Sequence, residues 1–241
     1  MARNIIRDHE YRETTRNARK RRSLSCFSRA FAPFVIQKTF TKKGEIPMTL
    51  RDLVLKNRSY RRFHQDVPVD LDTLRALVDL ARLSASGANL QPLKYVLSCD
   101  PATNARIFPH TRWAGYLKDW GGPAEGERPA AYVVILGDTE ISKSFGCDHG
   151  IAAQSIMLGA AERGLGGCMI GSIDRDALRQ ALSIPERYEI LLILALGQPG
   201  ETVVLEDVGP GGSIKYYRDA QDVHHVPKRP LADLIVGEYG Q

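Results

Sequence analysis

Three arginines fall within the seven residues NRSYRRF (57–63). Arg58, Ser59 and Arg61 offer charged forks and a hydroxyl, the donor set that grips a phosphate. The plain alternative is a solvated helix end, the usual fate of a basic patch. A second basic pair, Lys228 and Arg229 behind Pro227, strengthens the case only if the chain brings it back to the same place. In SASGANLQP (84–92), Ser86, Asn89 and Gln91 supply hydrogen-bonding groups on a turn, and Gly87 permits close approach. Read without a ligand, this stretch is a helix end and a loop. In GLGGCMIGS (164–172), glycines surround a short strand whose free N–H groups suit the edge of a heterocycle. Without one, the glycines are helix-to-strand punctuation. No GxGxxG follows a strand and opens a helix there, so a Rossmann site is not indicated.

The remaining reactive side chains point elsewhere. Asp148 and His149 precede an apolar helix and read as capping residues. His224 and His225 have no cysteine or carboxylate at ligand spacing and read as a surface pair. Ser172 lacks a GxSxG elbow. Cys168 reads as a small buried hydrophobe. No side chain stands out as a catalytic acid, base or nucleophile, and no metal site is expected.

Positioning these groups requires alternating helices and strands. TLRDLVLKN (49–57) is a short helix with Leu50, Leu53 and Val54 on one face. Asp70 or Asp72 can cap a helix over DTLRALVDLARLS, where Leu74, Leu77, Val78 and Ala81 form the apolar stripe. LKYVLS is a strand, and PATNARIF a helix opened by Asp100-Pro101. The stretch 110–130, rich in Gly and Pro, reads as a loop with a short helix inside it and carries Trp113, Tyr116 and Trp120. AAYVVILG is a buried strand, GIAAQSIMLGAAERG an apolar helix ending at Gly164, DRDALRQAL a capped helix and YEILLILALG a central strand. The tail mixes loop with one turn of helix. This order predicts an α+β fold, a mixed sheet flanked by helices.

Composition sets the class. The 241 residues are 43% hydrophobic and 25% charged, ordinary for a globular protein, and no apolar run is long enough to span a bilayer. Four scattered cysteines form no CxxC pair, which fits a reducing cytoplasm. The net charge of +5 belongs to one end: residues 1–47 hold 12 Lys and Arg against 4 Asp and Glu, leaving the remainder mildly acidic. This basic leader does not fit a secretory signal, and it fits a mitochondrial presequence only in part, being Arg-rich but carrying Asp8, Glu10 and Glu13. It leaves open a nucleic-acid-binding arm as a function of a different class. Lys43-Gly44-Glu45 can be encoded as AAA-GGA-GAA, a ribosome-binding sequence shortly upstream of Met48. Met48 is therefore the expected native start, and 48–241 a single domain.

Taken in order, KNRSYRRF, ARLSASGANLQP, GIAAQSIMLGAAERGLGGCMIGS and HHVPKR make residues 48–241 resemble the nitroreductase family of FMN-dependent oxidoreductases. The resemblance implies an intertwined homodimer with FMN at the subunit interface. It implies a flavin-phosphate motif at Asn57, Arg58, Ser59 and Arg61, with Asn57 standing where the family commonly has arginine. A second motif, from the partner subunit, falls on Ser86, Asn89 and Gln91, and Ala85 and Leu93 depart from its usual Pro and Trp. Amides facing flavin N5 and O4 would come from around Ile170, Gly171 and Ser172. Lys228 and Arg229 would complete the phosphate grip. A positive charge near N1 and O2, for which Arg61 is the candidate, would stabilise the reduced ring. Trp113, Tyr116 and Trp120 would form a lid over the open face or, as an equal alternative, pack at the dimer interface. NADH or NADPH and a small nitroaromatic or quinone-like acceptor would use that face in turn, with ping-pong kinetics. Alternatives within the same fold are a dehydrogenase, a dehalogenase or a flavin-consuming enzyme. No membrane or nucleic-acid partner is expected for residues 48–241.

Overall fold

The computed structural model describes residues 48–209 and 211–240. The expectations for residues 1–47 lie outside them. Strand β5 (Tyr188–Pro199) is the spine of the main sheet. On one side it pairs with β3 (Ala131–Asp138), which pairs with β2 (Leu93–Ser98). Its other side takes both β1 (Phe63–His64) and β4 (Gly166–Ile170). All four ladders are antiparallel. Parallel pairing enters at the isolated Ser59–Gly167 bridge and in a second, three-stranded sheet. There β8 (His224–Lys228) lies between β6 (Val203–Asp207) and β7 (Tyr217–Arg218).

Alternation along β3 divides the core into two faces, because successive strand side chains point opposite ways. Val133 and Ile135 join Leu74 and Leu77 of α2 (Leu71–Leu83) and Ala153, Ile156 and Ala160 of α4 (Asp148–Glu162). Tyr132, Val134 and Leu136 join Ile107 of α3 (Pro101–Ile107) and Leu178 of α5 (Arg175–Leu182). Helices therefore cover both faces of one sheet, as the α+β reading expects.

Local signals account for the element ends. Asp70, Asp100 and Asp174 each accept a backbone N–H at the start of α2, α3 and α5. Gly164, at φ +78°, takes the left-handed turn just past α4. Helix α1 (Leu50–Lys56) carries a capping box between Thr49 and Asp52 but buries no side chain. The 110–130 stretch departs from expectation: only turns follow a 3-10 turn at Phe108–His110, with no helix inside. The tail holds strands β7 and β8 as well as a 3-10 turn, Leu231–Asp233. Among the described residues no helix is long and apolar enough to cross a membrane.

Candidate functional site

The arginine-rich segment leaves α1 at Asn57 and runs against β4. Tyr60 N–H donates to the Gly167 carbonyl at 2.9 Å, and Ser59 forms the parallel bridge with the same residue. This approach needs glycine. A Cβ at Gly166 would sit 2.5 Å from Tyr60 Cδ2, and one at Gly167 would sit 2.6 Å from the Ala195 carbonyl oxygen. The pair is thus more than punctuation between α4 and β4. Glu201, whose side chain is buried, fixes the next turn. Its carboxylate accepts the N–H groups of Arg61 and Arg62 and pairs with Arg218 Nη2 at 2.8 Å.

A cavity of about 350 Å³ opens beside this segment. Asn57, Arg58, Ser59 and Arg61 line one part of it, and Lys228 and Val226 of β8 another. The fold does bring the C-terminal basic stretch back to the arginines, although through Lys228; Arg229 is not on the wall. Three cations line the cavity and no carboxylate does. Arg61 is buried, donates from Nη1 to the Ser59 carbonyl at 3.2 Å, and lies under the Tyr216 ring at 4.6 Å. Burial pulls the Arg58 pKa down, opposed by Tyr60, and its Nε has no partner among the described residues. Neither Arg58 nor Arg61 has a carboxylate at ion-pair distance among those residues. Desolvated guanidinium groups without counter-ions are costly, and a bound anion removes the cost.

Ser86 and Gln91 line a different cavity, of about 220 Å³. Ser86 Oγ donates to Asp148 Oδ2 at 2.6 Å and accepts from Gln91 N–H at 2.9 Å; Gly87 N–H donates to Asp148 Oδ1 at 2.9 Å. Ala88, Asn89 and Gln91 all have positive φ, so this tight loop depends on those anchors. Asp148 therefore does not cap its helix as expected: the N-cap position is Cys147, and the carboxylate restrains the loop instead. Tyr95, in the same cavity, has its hydroxyl pushed up to about 12, by burial first and by the Asp148 charge second. Asn89 is exposed.

The third expected group sits at the end of β4, but Ile170, Gly171 and Ser172 are not on the wall of the first cavity. Ile170 is buried at the strand's end, with Gly171 and Ser172 exposed immediately beyond. Cys168 is buried, as expected, and burial raises its thiol to about 11. The intervening Met169 reaches the first cavity. The three aromatic residues of the 110–130 loop separate. Tyr116 packs at a tilt against Tyr216, ring centroids 4.9 Å apart, and Trp120 packs against Arg218 at 4.4 Å, so both touch residues that support the cavity. Trp113 turns inward, donating to Thr111 Oγ1 at 3.0 Å and packing against the core.

Gln154, Met157, Met169, Tyr216, His224 and Val226 also line the cavity and were not singled out in the sequence for it. Gln154 carried a signal, since it is a polar residue inside an apolar helix. His224 is the largest correction. The surface pair is not one: His224 is fully buried, and His225 lies between the carboxylates of Glu206 and Asp219. The Val-His-His-Val order was a strand alternation, one histidine on each face.

The family model described as Nitroreductase family matches residues 54–121 and 127–198. An NADPH-flavin oxidoreductase of Vibrio harveyi is 23% identical over 190 residues, 72% of this chain and 75% of that protein. Among solved structures, an FMN-dependent nitroreductase from Clostridium difficile R20291 is 25% identical, with a TM-score of 0.50 over 61% of this chain and 86% of that one. A nitroreductase family protein from Streptococcus pneumoniae TIGR4 is 17% identical, with a TM-score of 0.58, and covers 79% of this chain and 100% of that one.

Proposed function

This chain belongs to the nitroreductase family, and on that premise we propose how it works as an FMN-dependent oxidoreductase, with the cavity beside the arginine segment as its flavin site. One observation carries the assignment. Arg58, Arg61 and Lys228 share a cavity with no acidic side chain on its wall, and two of them are desolvated without a carboxylate partner among the described residues. These residues fit a phosphate-bearing cofactor. Arg58, Ser59 and Lys228 would hold the phosphate, with Asn57 beside them as a neutral donor.

Held there by Arg58, Ser59 and Lys228, FMN would supply hydride-transfer chemistry between a nicotinamide donor and a second substrate. The protein's own part is to bind, orient and exclude water. Arg61, held from behind by the buried Glu201 carboxylate through its backbone N–H, places positive charge at the ring end of the cavity. The segment around Ile170, Gly171 and Ser172 offers backbone donors to the ring edge. Tyr116 and Trp120, braced on Tyr216 and Arg218, border the face left for the two substrates. A single open face makes them alternate, hence ping-pong kinetics, and its aromatic border suits planar nitroaromatic or quinone-like acceptors.

The site is completed by a second copy of the chain. Ser86 and Gln91 line a cavity separate from the cationic one, and Asn89 faces outward between them on a loop braced by Asp148. A homodimer would present this loop to the partner's flavin. It would also cover the exposed Leu50, Val54 and Leu55 of α1.

Purified protein is expected to be yellow and to bleach on addition of NADH or NADPH. A colourless protein that cannot be loaded with FMN would defeat the assignment.

A further inference from the structure

We propose that His224 is a positioning residue of the flavin cavity, a neutral imidazole that accepts a hydrogen bond from Arg61 and so aims its guanidinium at the bound ring. The inference rests on the flavin assignment above. His224 opens β8, has no exposed surface, and contributes to the cavity wall. Its Nε2 lies 3.1 Å from Arg61 Nη1. A guanidinium has only donors and does not deprotonate in a protein, so Nε2 must be the bare nitrogen and the proton must sit on Nδ1. A doubly protonated ring would have no acceptor to offer and would set a second cation against Arg61.

The surroundings keep the ring neutral. Burial, and then the charge of Arg61, lower its pKa to about 4; Arg218 and His225 add to this and Glu201 opposes it. Tyr216 packs on both members of the pair, 4.6 Å from the Arg61 guanidinium and 5.3 Å from the His224 ring. The pair is therefore braced from β8, from the residues before β7, and from Glu201 beneath. Nδ1 has no partner among the described residues. A buried donor of this kind is satisfied when a ligand brings an acceptor.

Two substitutions separate positioning from packing. His224→Phe keeps a ring against Tyr216 but removes the acceptor, whereas His224→Gln restores an acceptor oxygen. The expected result is an FMN dissociation constant raised about ten-fold by His224→Phe, and less than about three-fold by His224→Gln, as one charge-assisted hydrogen bond predicts. The midpoint potential of the bound flavin should fall in the Phe variant and stay near wild type in the Gln variant. Wild-type affinity and potential in folded His224→Phe would overturn the proposal, as would equal losses in both folded variants. Nitrogen-15 NMR of the unsubstituted apoprotein decides independently of how the variants fold. It should show Nδ1 protonated and Nε2 bare at neutral pH; an Nε2–H tautomer, or a ring titrating near its ordinary value, overturns the pairing. Failure to bind FMN at all would instead sink the flavin assignment and leave the tautomer result standing.

Discussion

Arg58 and Lys228 illustrate how weak a charge cluster is as a signal until geometry removes its alternatives. Solvated arginines cost nothing; Arg58 is partly desolvated, with an unpartnered Nε among the described residues. Arg58→Ala and Lys228→Ala should each weaken FMN binding about ten- to a hundred-fold, the effect of losing one charged hydrogen bond. Equilibrium dialysis measures it, and the melting temperature of the apoprotein should not fall. Arg229→Ala should have the smaller effect, since Arg229 is off the wall; a larger one than Lys228→Ala would reverse that assignment. Asn57 follows the same logic. It is the C-cap of α1 and lines the cavity, so Asn57→Arg should tighten FMN binding if its side chain faces the phosphate.

Three structural segments hold the site in shape, and each can be tested separately. Gly167 lets the arginine segment lie on β4 while β4 pairs with β5. Gly167→Ala should cost about 1–3 kcal/mol in denaturant unfolding, because its methyl would meet the fixed Ala195 carbonyl as well as the Leu196 side chain. Asp148 serves the other loop. Asp148→Ala would orphan the Ser86 hydroxyl and the Gly87 N–H, a loss of about 1–3 kcal/mol, with the positive-φ turn loosened. Proteolytic nicking confined to residues 84–92 would report that loosening. The small sheet is clasped by His225, whose pKa is raised from 6.5 by its hydrogen bonds to Asp219 and Glu206. The clasp's contribution is full below the unfolded value of 6.5 and fades as pH rises through the higher folded value. Asp219, lowered from 3.8 by the same histidine, contributes above that value and loses its share in acid. The thermal-melting gap between wild type and His225→Gln should therefore be widest near about pH 5.5 and narrow toward about pH 9. A gap that grows with pH would contradict the clasp.

At the level of the assembled protein, the two halves of the expected flavin site line separate cavities of the same chain. If a second copy unites them, an Arg58→Ala dimer and an Asn89→Ala dimer should each bind FMN poorly. Hybrids formed by mixing them would contain one intact site per pair. Recovery of FMN binding on subunit exchange is the expected result. No recovery, with exchange verified by mass spectrometry, would place both motifs at a site within one chain.

Much of this architecture could be read from the linear chain because its causes are local. Strand β3 is a continuous β-branched run, α2 carries a clean apolar stripe and an Asp cap, and α4 ends at a glycine. The four motifs pointed to one family because their order is specific even where each is modest. What stayed hidden depended on distant partners. His224 and His225 are neighbours of one type, yet one is neutral against Arg61 and the other bridges two carboxylates. Asp148 stands where a cap belongs, but its carboxylate serves a loop about sixty residues earlier. A side chain's burial and charge state depend on what the fold sets against it, and chain order does not encode that pairing locally. Residue types and their periodicity therefore specified the elements and the family, while long-range packing specified which groups face the cavity and in what state.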